Sequence, residues 1–187
     1  MNSFYNETEL KEIGFKSIGR NVLISKKASI YSADNISVAD NVRIDDFCIL
    51  SGKIDIGSNV HIAAYVGIFS GKEGVIIEDF VGISARTLVY AISDDYSGEY
   101  LTNPTIPTEY KNVVDTKLIF KKHSLVGAGS LVLPGATIEE GCSFGAMSLI
   151  NKQTEPWAIY VGAPIKKIKD RSKNLIELEK QFRKEKK

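Results

Sequence analysis

The sequence predicts an all-β solenoid that runs from about Ile18 to Ile150 and advances in steps of six residues. A helix repeats every 3.6 residues and a strand every two, so neither explains a period of six. A small or β-branched residue stands four positions after most large ones, as at Cys48, Val66 and Ser130. The large aliphatic and aromatic residues fall in four runs: Ile18, Ile24, Ile30 and Ile36; Val38, Ile44, Leu50, Ile56, Ile62 and Ile68; Ile77, Ile83 and Val89; Phe120, Val126, Val132, Ile138, Phe144 and Ile150.

Short strands separated by tight corners account for this period. Each step sends one large and one small residue inward, so that stacked turns share a narrow apolar core. Corners every six residues suit Gly and Asn, which tolerate sharp turns, as in Gly57–Asn59 and Gly127–Gly129. Three steps per turn give about six turns. Cys48 and Cys142 occupy the small inward position and are interpreted as reduced core residues.

The repeat is interrupted three times. There is a slip of two residues at Ile36–Val38, and three extra residues lie between Ile68 and Ile77. The third interruption is the long segment Ala91–Lys117, which contains prolines, acidic residues and three tyrosines. Loops of this length inside compact repeats are usually functional or disordered, and the tyrosines favour an ordered one.

Both ends of the chain are predicted to be helical. Asn6–Glu9 has the pattern of a capping box, Leu10 begins an apolar face, and Gly14 is a natural helix end. Apolar residues recur at helical spacing between positions 175 and 182. We expect this second helix to cap the last coil, whose open edge would otherwise invite further stacking.

We expect one domain over residues 1–187. Its parts are an N-terminal helical segment (1–17), the solenoid (18–151) with its inserted loop (91–117), and a closing segment with the C-terminal helix (152–187).

Composition excludes several classes of function. The net charge is +1, which favours neither nucleic-acid nor membrane partners. Residues 166–187 carry a net charge of +6 and the rest of the chain −5. This basic end suits an anionic ligand, although such runs are also typical of solvated helix faces. The chain lacks the ~20-residue apolar stretch of a membrane span and a signal-peptide pattern, so we expect a cytoplasmic protein.

Several segments together resemble the hexapeptide-repeat acyltransferases: Val126–Ser130, Val132–Gly135, Phe144–Ser148 and Val161–Lys169. The resemblance covers nearly the whole chain. It implies a left-handed parallel β-helix of about six coils, with the long loop after coil four. It also implies a homotrimer that binds acyl-CoA in a cleft between coils, the loop of one subunit reaching over the next. Within the family, Ile83–Gly98 most resembles the N-acyltransferases of nucleotide-linked 4-amino-4,6-dideoxy sugars.

This resemblance implies two groups of contacts with acyl-CoA as co-substrate. Small residues would let the pantetheine arm approach the backbone: Gly127, Ala128, Gly145 and Ala146. Polar and basic residues would meet the adenosine phosphates: Asn151, Lys152, Lys166 and Lys169. From Lys173 onward, the charges are expected to be solvated. No covalently bound cofactor is implied.

The chain departs from the sugar O-acetyltransferases of this family at the catalytic base. Those enzymes carry a histidine early in the long loop, and aligning Ile77–Val89 places Asp94 at that position. The spacing of the only two histidines, His61 and His123, directs both outward. His123 is expected on the coil surface near a subunit boundary. Two histidines also leave no three-His zinc site.

An aspartate at that position favours an amine as the acceptor. A hydroxyl needs a general base with a pKa near 7, as histidine supplies, whereas aspartate is normally a weaker base. An amine arrives largely as ammonium, and a carboxylate both attracts that cation and accepts its proton. The alternative is that Asp94 and Asp95 simply form a polar turn.

Further residues around the loop are candidates through the resemblance. Ser84 would lie near the reacting amine or the thioester, and Glu99 is a second candidate carboxylate. The candidate contacts to the nucleotide sugar are Arg86, Asp95 and Tyr96. Alternatively, Arg86 forms a structural ion pair with Asp79 or Asp95.

These observations favour an acyl-CoA-dependent N-acyltransferase that acts on the amino group of a nucleotide-linked dideoxy amino sugar, for surface-polysaccharide synthesis. The amine would attack the thioester directly, with a backbone amide near Gly127 or Ala128 stabilising the oxyanion. The alternative is a sugar O-acetyltransferase that uses acetyl-CoA. A non-catalytic solenoid would need neither the long loop nor the cluster at Lys166 and Lys169.

Overall fold

The computed structural model describes residues 3–185 and shows a parallel β solenoid with three faces. Face 1 contains β1 (Ser17–Ile18), β4 (Ile36–Val38), β7 (Ile54–Ile56), β10 (Val75–Ile77), β15 (Leu118–Phe120) and β18 (Thr137–Ile138). Face 2 contains β2 (Leu23–Ile24), β5 (Arg43–Ile44), β8 (His61–Ile62), β11 (Gly82–Ile83), β16 (Leu125–Val126), β19 (Ser143–Phe144), β21 (Ala158–Val161) and β22 (Lys166–Asp170). Face 3 contains β3 (Ser29–Tyr31), β6 (Ile49–Ser51), β9 (Gly67–Phe69), β12 (Leu88–Tyr90), β17 (Leu131–Val132) and β20 (Leu149–Ile150).

Successive strands on each face pair in parallel as far as β21, with the register that the six-residue period predicts. On face 2, Ile44 pairs with Ile62, Ile62 with Ile83, and Ile83 with Val126. The solenoid makes about seven turns rather than the six predicted, because β21 begins another turn after Ile150. The long segment leaves the solenoid after β12, at the end of the fourth turn, and carries the hairpin β13 (Ile92–Ser93) and β14 (Val114–Asp115).

The predicted inward positions form the core. The column from Val38 to Ile68 at six-residue spacing is at most 3% exposed, and the small positions such as Cys48 and Cys142 are fully buried. Burial of each large aliphatic side chain contributes about 1.5–3 kcal/mol. Both cysteines are free, and burial raises the pKa of the Cys48 thiol to about 11. Their interpretation as core residues is confirmed.

The corners are less restricted in sequence than the Gly and Asn pattern suggested. Phe47, Tyr65, Arg86 and Met147 all adopt φ near 60°, a conformation that is uncommon for bulky residues. Their side chains leave the core, so hydrophobic periodicity carries no signal for them. Stacking on neighbouring turns compensates for the strained backbone, as between Phe47 and Tyr65, whose ring centroids are 4.9 Å apart.

The N-terminal helix α1 (Glu7–Ile13) is capped as predicted. Asn6 Oδ1 accepts from the amides of Thr8 and Glu9, and the Glu9 carboxylate accepts from the Asn6 amide at 2.8 Å. Gly14 ends the helix at φ 81°. Leu10 is buried and packs on the first turn of the solenoid.

The C-terminal helix α2 (Asn174–Glu185) does not cap the last coil, contrary to our expectation. The open edge of face 2 is covered instead by β22, which pairs antiparallel with β21. Helix α2 lies across the side of the fourth and fifth turns, where Phe182 meets Phe80 in a T-shaped contact and Glu179 meets His123. Neither helix in the described range 3–185 is long and apolar enough to span a membrane.

Candidate active site

The corner between face 2 and face 3, termed the second corner, is built mostly from small residues in its later turns. The turns at Ser84–Thr87, Gly127–Ser130 and Gly145–Ser148 lie directly on one another. The Ser84 amide donates to Val126 O and the Gly127 amide to Phe144 O, both at 2.9 Å. Four of the predicted cofactor residues therefore form one continuous surface.

Steric contact explains the glycine at position 127. An ideal Cβ there would lie 2.6 Å from the Ala146 amide nitrogen and 2.6 Å from Phe144 O, both backbone atoms. Its carbonyl accepts from the Ser130 hydroxyl at 2.7 Å, and the Gly145 carbonyl accepts from Ser148 at 2.7 Å. Neighbouring turns can therefore stack closely with their carbonyl groups already paired.

Hydrogen bonding divides the amides of this corner into two groups. The Gly127 and Gly129 amides donate within the solenoid, the latter to Ala85 O at 2.9 Å. Within the described chain, the amides of Ala128 and Ala146 donate to no acceptor, and both residues are exposed. Ala128 is therefore a better candidate than Gly127 for binding a developing oxyanion.

Arg86 projects from the second corner beside a ladder of exposed aromatic rings. Its guanidinium carbon lies 5.9 Å from the centre of the Tyr65 ring, which stacks on Phe47. The alternative prediction, an ion pair of Arg86 with Asp79 or Asp95, is wrong. Asp79 pairs with Arg183 at 3.2 Å, and Asp95 is held within the loop. The charge of Arg86 is available to an anionic ligand.

The predicted phosphate-binding lysines share the outer side of β22. Lys166 lies opposite Val161 and Lys169 opposite Ile159, and a bulge between Ile159 and Tyr160 brings the two lysines to the same face. Neither forms an ion pair with any residue from 3 to 185. Lys167, in contrast, pairs with Glu155 and Asp170, both at 2.9 Å, and these contacts raise its pKa. Asn151 and Lys152 follow β20 and are exposed.

Asp94 lies at the base of the long loop and lines an open cleft of about 630 Å³. One carboxylate oxygen accepts from the Asn103 amide at 3.2 Å, and the remainder of the group faces the cleft. The other lining residues come from the loop, face 3 and the corner that follows it: Phe69, Tyr90, Ile92, Ser93, Tyr96, Asn103, Pro104, Lys111, Val113, Leu131, Leu133 and Pro134.

The other predicted loop residues differ in their surroundings. Asp95 accepts from the Ser97 hydroxyl at 2.5 Å and its amide at 2.8 Å, and these bonds hold its pKa below the ordinary value. Asp95 therefore forms the polar turn considered for the pair, whereas Asp94 does not. Tyr96 lines the cleft and is 93% exposed. Glu99 is exposed and lies outside the cleft lining.

Both histidines lie away from the cleft, as their spacing predicted. His61 is on face 2 beside Asp45 at 2.8 Å. His123 is only 7% exposed rather than a surface residue, because α2 covers it. Its ring stacks on Phe80 and its Nε2 lies 2.7 Å from the Glu179 carboxylate.

Several residues that form the walls of the cleft were not predicted from the sequence. Phe69 and Tyr90 pair in register on adjacent turns and stack with centroids 5.1 Å apart. Two aromatic residues at equivalent positions of successive turns were a detectable signal. Leu133 and Pro134 could not be found in this way, because the long loop sets their position relative to Asp94.

The parallel β solenoid is the fold of solved acyltransferases, and this chain belongs to that class of enzyme. No family model matches the chain. The chain is 46% identical over 184 residues to the dTDP-4-amino-4,6-dideoxy-D-glucose acyltransferase of Escherichia coli, covering 97% of this chain and 95% of that protein. It belongs to this acyltransferase family, which confirms the resemblance.

Solved structures give the same result. AntD, an N-acyltransferase from Bacillus cereus solved with dTDP and 3-hydroxybutyryl-CoA, superposes with a TM-score of 0.96 at 55% identity, covering 99% of this chain and 98% of that one. AntD has also been solved as S84A, S84C, S84T, D94A and D94N variants. The polySia-specific acetyltransferase NeuO shares the fold, with a TM-score of 0.58 at 16% identity.

Proposed function

We propose that the protein transfers an acyl group from acyl-CoA to the amino group of a nucleotide-linked dideoxy amino sugar. The observation that carries this proposal is Asp94, a carboxylate in the cleft where a hydroxyl acceptor would call for histidine. The E. coli relative is named for a dTDP-linked 4-amino sugar, and an AntD variant was solved with dTDP-4-amino-4,6-dideoxyglucose and coenzyme A. A dTDP-linked 4-amino-4,6-dideoxyhexose is therefore the acceptor to test first.

Acyl-CoA would bind along the second corner. The exposed amides of Ala128 and Ala146 suit the amide oxygens of the pantetheine arm, and Gly145 leaves room for its approach. Strand spacing of about 4.8 Å places Val161, which lies opposite Lys166, two steps beyond Gly127 on the same corner. Lys166 and Lys169 would then meet the adenosine phosphates at the end of the row. Asn151 and Lys152 would flank the same phosphates.

The reaction would be direct attack on the thioester. The sugar ammonium first gives a proton to Asp94, and the free amine attacks the thioester carbon. The Ala128 amide stabilises the oxyanion, because the Gly127 amide is already bonded to Phe144 O. Collapse of the intermediate breaks the carbon–sulfur bond and releases the coenzyme A thiolate. The amide nitrogen loses its second proton, and the thiolate gains one.

Ser84 and Asp94 are the residues we assign to the chemistry. Ser84 lies one step along the second corner from Gly127, where its hydroxyl can bond the amine or the thioester oxygen. The AntD variants change a serine numbered 84 and an aspartate numbered 94, and this chain has the same residues at the same numbers. Arg86 and Tyr96 would contact the nucleotide sugar. Glu99 and Asp95 have no assigned chemical step.

Assembly into a homotrimer would complete the site. Ser84 lies at the second corner and Asp94 in the loop that follows the next corner. Strand β12, which spans about 10 Å, separates the two corners. A single amine reaches both residues more readily if the loop of one subunit covers the corner of the next. We further propose that the β-helix is left-handed and that the enzyme works in the cytoplasm, supplying acylated sugars for surface polysaccharide.

A panel of nucleotide sugars tests this function. Purified protein is incubated with dTDP- and UDP-linked 4-amino- and 4-hydroxy-6-deoxyhexoses and with acetyl-, 3-hydroxybutyryl- and longer acyl-CoAs. Mass spectrometry should show an acyl adduct on the amino sugars alone. Acylation of the hydroxy sugars at comparable rates would contradict the proposal.

A further inference from the structure

Two consecutive residues of the long loop, Asp115 and Thr116, hold its returning strand against the solenoid on both sides. Asp115 lies in β14, where it pairs with Ile92 of β13, and Ser93 pairs with Val114. Asp94 directly follows β13. Any displacement of β14 is therefore passed through one pair of strands to the cleft carboxylate.

Asp115 contacts the preceding turn of the corner between face 3 and face 1. Its Oδ2 accepts the Lys72 amide at 2.8 Å. An ideal Cβ at Gly71 would lie 2.6 Å from Cγ of Asp115 and 2.7 Å from its Oδ1. Only a glycine at position 71 allows the carboxylate to pack this closely on the backbone. The short insertion between the third and fourth turns and the long loop therefore meet at this one side chain.

The second carboxylate oxygen of Asp115, Oδ1, is buried and accepts no hydrogen bond from any group in the described chain. An unpaired buried oxygen is destabilising, so a gain in stability does not by itself account for the group. What the carboxylate does provide is a fixed distance between the 70–74 turn and β14.

Thr116 makes the matching contact with the following turn. Its hydroxyl oxygen accepts the Gly135 amide at 2.7 Å, and its own amide donates to Ala91 O at 2.9 Å. Ala91 is fully buried and marks the point where the loop leaves the solenoid. Gly135 follows Leu133 and Pro134, two walls of the cleft. The loop is thus fixed to both turns that border it.

We propose that Asp115 and Thr116 are positioning residues that set the distance of Asp94 from the acceptor amine. This inference rests on the proposed function, since it assumes that Asp94 meets the acceptor. It predicts an effect on the acceptor half of the reaction alone. The acyl-CoA surface lies at the second corner, whereas these contacts are at the corner between face 3 and face 1, so that surface is left unchanged.

Three variants test the contacts of Asp115 and Thr116, together termed the clasp, and each is assayed for kcat and for both KM values. Asp115→Ala should lower kcat with the amino sugar by about tenfold to a hundredfold, as expected for a small misplacement of a catalytic group. Asp115→Asn retains an acceptor for the Lys72 amide and should stay within about threefold of wild type. Thr116→Val should act like Asp115→Ala. The KM for acyl-CoA should change by less than about twofold in every variant.

Gly71→Ala examines the contact from the other side. Its added methyl displaces the carboxylate, so the Gly71→Ala, Asp115→Ala double variant should be no worse than the poorer single variant. The matched control is Gly82→Ala, because an added Cβ there meets only the tip of Leu125 at 3.0 Å. This control should behave as wild type.

Backbone hydrogen exchange separates this inference from the proposed function. In Asp115→Ala, the amides of 92–94 should exchange faster while those of 142–150 stay unchanged. Unchanged exchange at 92–94 overturns the clasp. A loss of acyl-CoA affinity as large as the loss in turnover of the amino sugar also overturns it. If wild type acylates no amino sugar, the proposed function fails, and exchange still decides whether the clasp exists.

Discussion

At the residue scale, Asp94 and Asp95 are neighbours with the same side chain but different surroundings. Asp95 is held by Ser97 and Asn112 within the loop, whereas Asp94 accepts one backbone bond and faces the cleft. Composition and spacing gave no reason to prefer either aspartate as the catalytic base. The resemblance to a family of acyltransferases gave the reason to prefer Asp94. The donor to the oxyanion could not be chosen from the sequence either. Only the hydrogen bonds of the structure show that, within the described residues, the Ala128 amide is free to donate and the Gly127 amide is not.

Removal of the two unpaired lysines tests the cofactor surface. Lys166→Ala with Lys169→Ala should raise the KM for acyl-CoA about thirtyfold at low salt, since each of the two exposed contacts to phosphate contributes about 1 kcal/mol. The effect should shrink with added salt, which screens exposed charges. Steady-state kinetics at two ionic strengths measure both changes.

Lys167→Ala is the matched control for that double variant. It removes the same charge from the same strand, but Lys167 is already paired with Glu155 and Asp170. It should leave the KM for acyl-CoA near that of wild type. If the double variant instead raises only the KM for the sugar, the phosphate assignment is wrong.

At the scale of elements, hydrophobic spacing predicts that α2 exists but not where it packs. The residues that receive it, such as Asp79 and His123, lie far away in the sequence, 104 residues from Arg183 in the first case. Amphipathicity identifies the apolar side of a helix and carries no information about its partner. The expectation that α2 caps the last coil failed for this reason.

Neutralising Glu179 tests the packing of α2. Burial acts to raise the pKa of Glu179, but hydrogen bonds from Lys122, Arg183 and His123 outweigh it and lower the pKa from 4.5 to about 2. Glu179→Gln should reduce the free energy of unfolding at pH 7 by about 1.5–3 kcal/mol, the usual value for hydrogen bonds to a charged group. Calorimetry should show the loss as a lower unfolding temperature.

The same variant has a defined pH dependence. A carboxylate with a depressed pKa stabilises the fold above its unfolded pKa, and this contribution disappears as pH falls toward the folded value. The difference between wild type and Glu179→Gln should therefore be constant above about pH 5 and vanish between 4.5 and about 2. A difference that is unchanged at pH 2.5 would exclude the ion-pair explanation.

At the scale of the whole molecule, the six-residue period predicted the core, the parallel register and the place of the long loop. A repeat is readable because every turn obeys the same packing constraint. The extra turn was missed because β21 follows an irregular segment after Ile150 and no longer keeps the spacing. Exposed apolar residues remain along face 3 and the second corner of a single chain: Tyr31, Phe47, Ile49, Tyr65 and Leu88. Such a surface is typical of an interface.

Mixed oligomers test whether the active site lies between subunits. Ser84→Ala and Asp94→Asn should each be nearly inactive alone. Co-expressed at equal levels, they should recover about a quarter of wild-type activity, since one site in four then combines an intact corner with an intact loop. Light scattering should give a trimer for each sample. A stable and active monomer, or no recovery in the mixture, would contradict a site shared between subunits.

In the proposed mechanism, Asp94 receives a proton from a sugar ammonium. Asp94→Asn keeps the shape of the side chain but removes its charge and basicity, so turnover should fall about a hundredfold at neutral pH. Because a free amine no longer needs the base, the variant should recover partly as pH rises through the pKa of the amine.

The deciding measurement is the pH–rate profile of wild type and Asp94→Asn with amino and hydroxy forms of the same nucleotide sugar. We predict turnover of the amino form by wild type, a loss in Asp94→Asn at neutral pH, and partial recovery of that variant at high pH. Equal turnover of both acceptors, or an Asp94→Asn profile that matches wild type at neutral pH, would contradict the account.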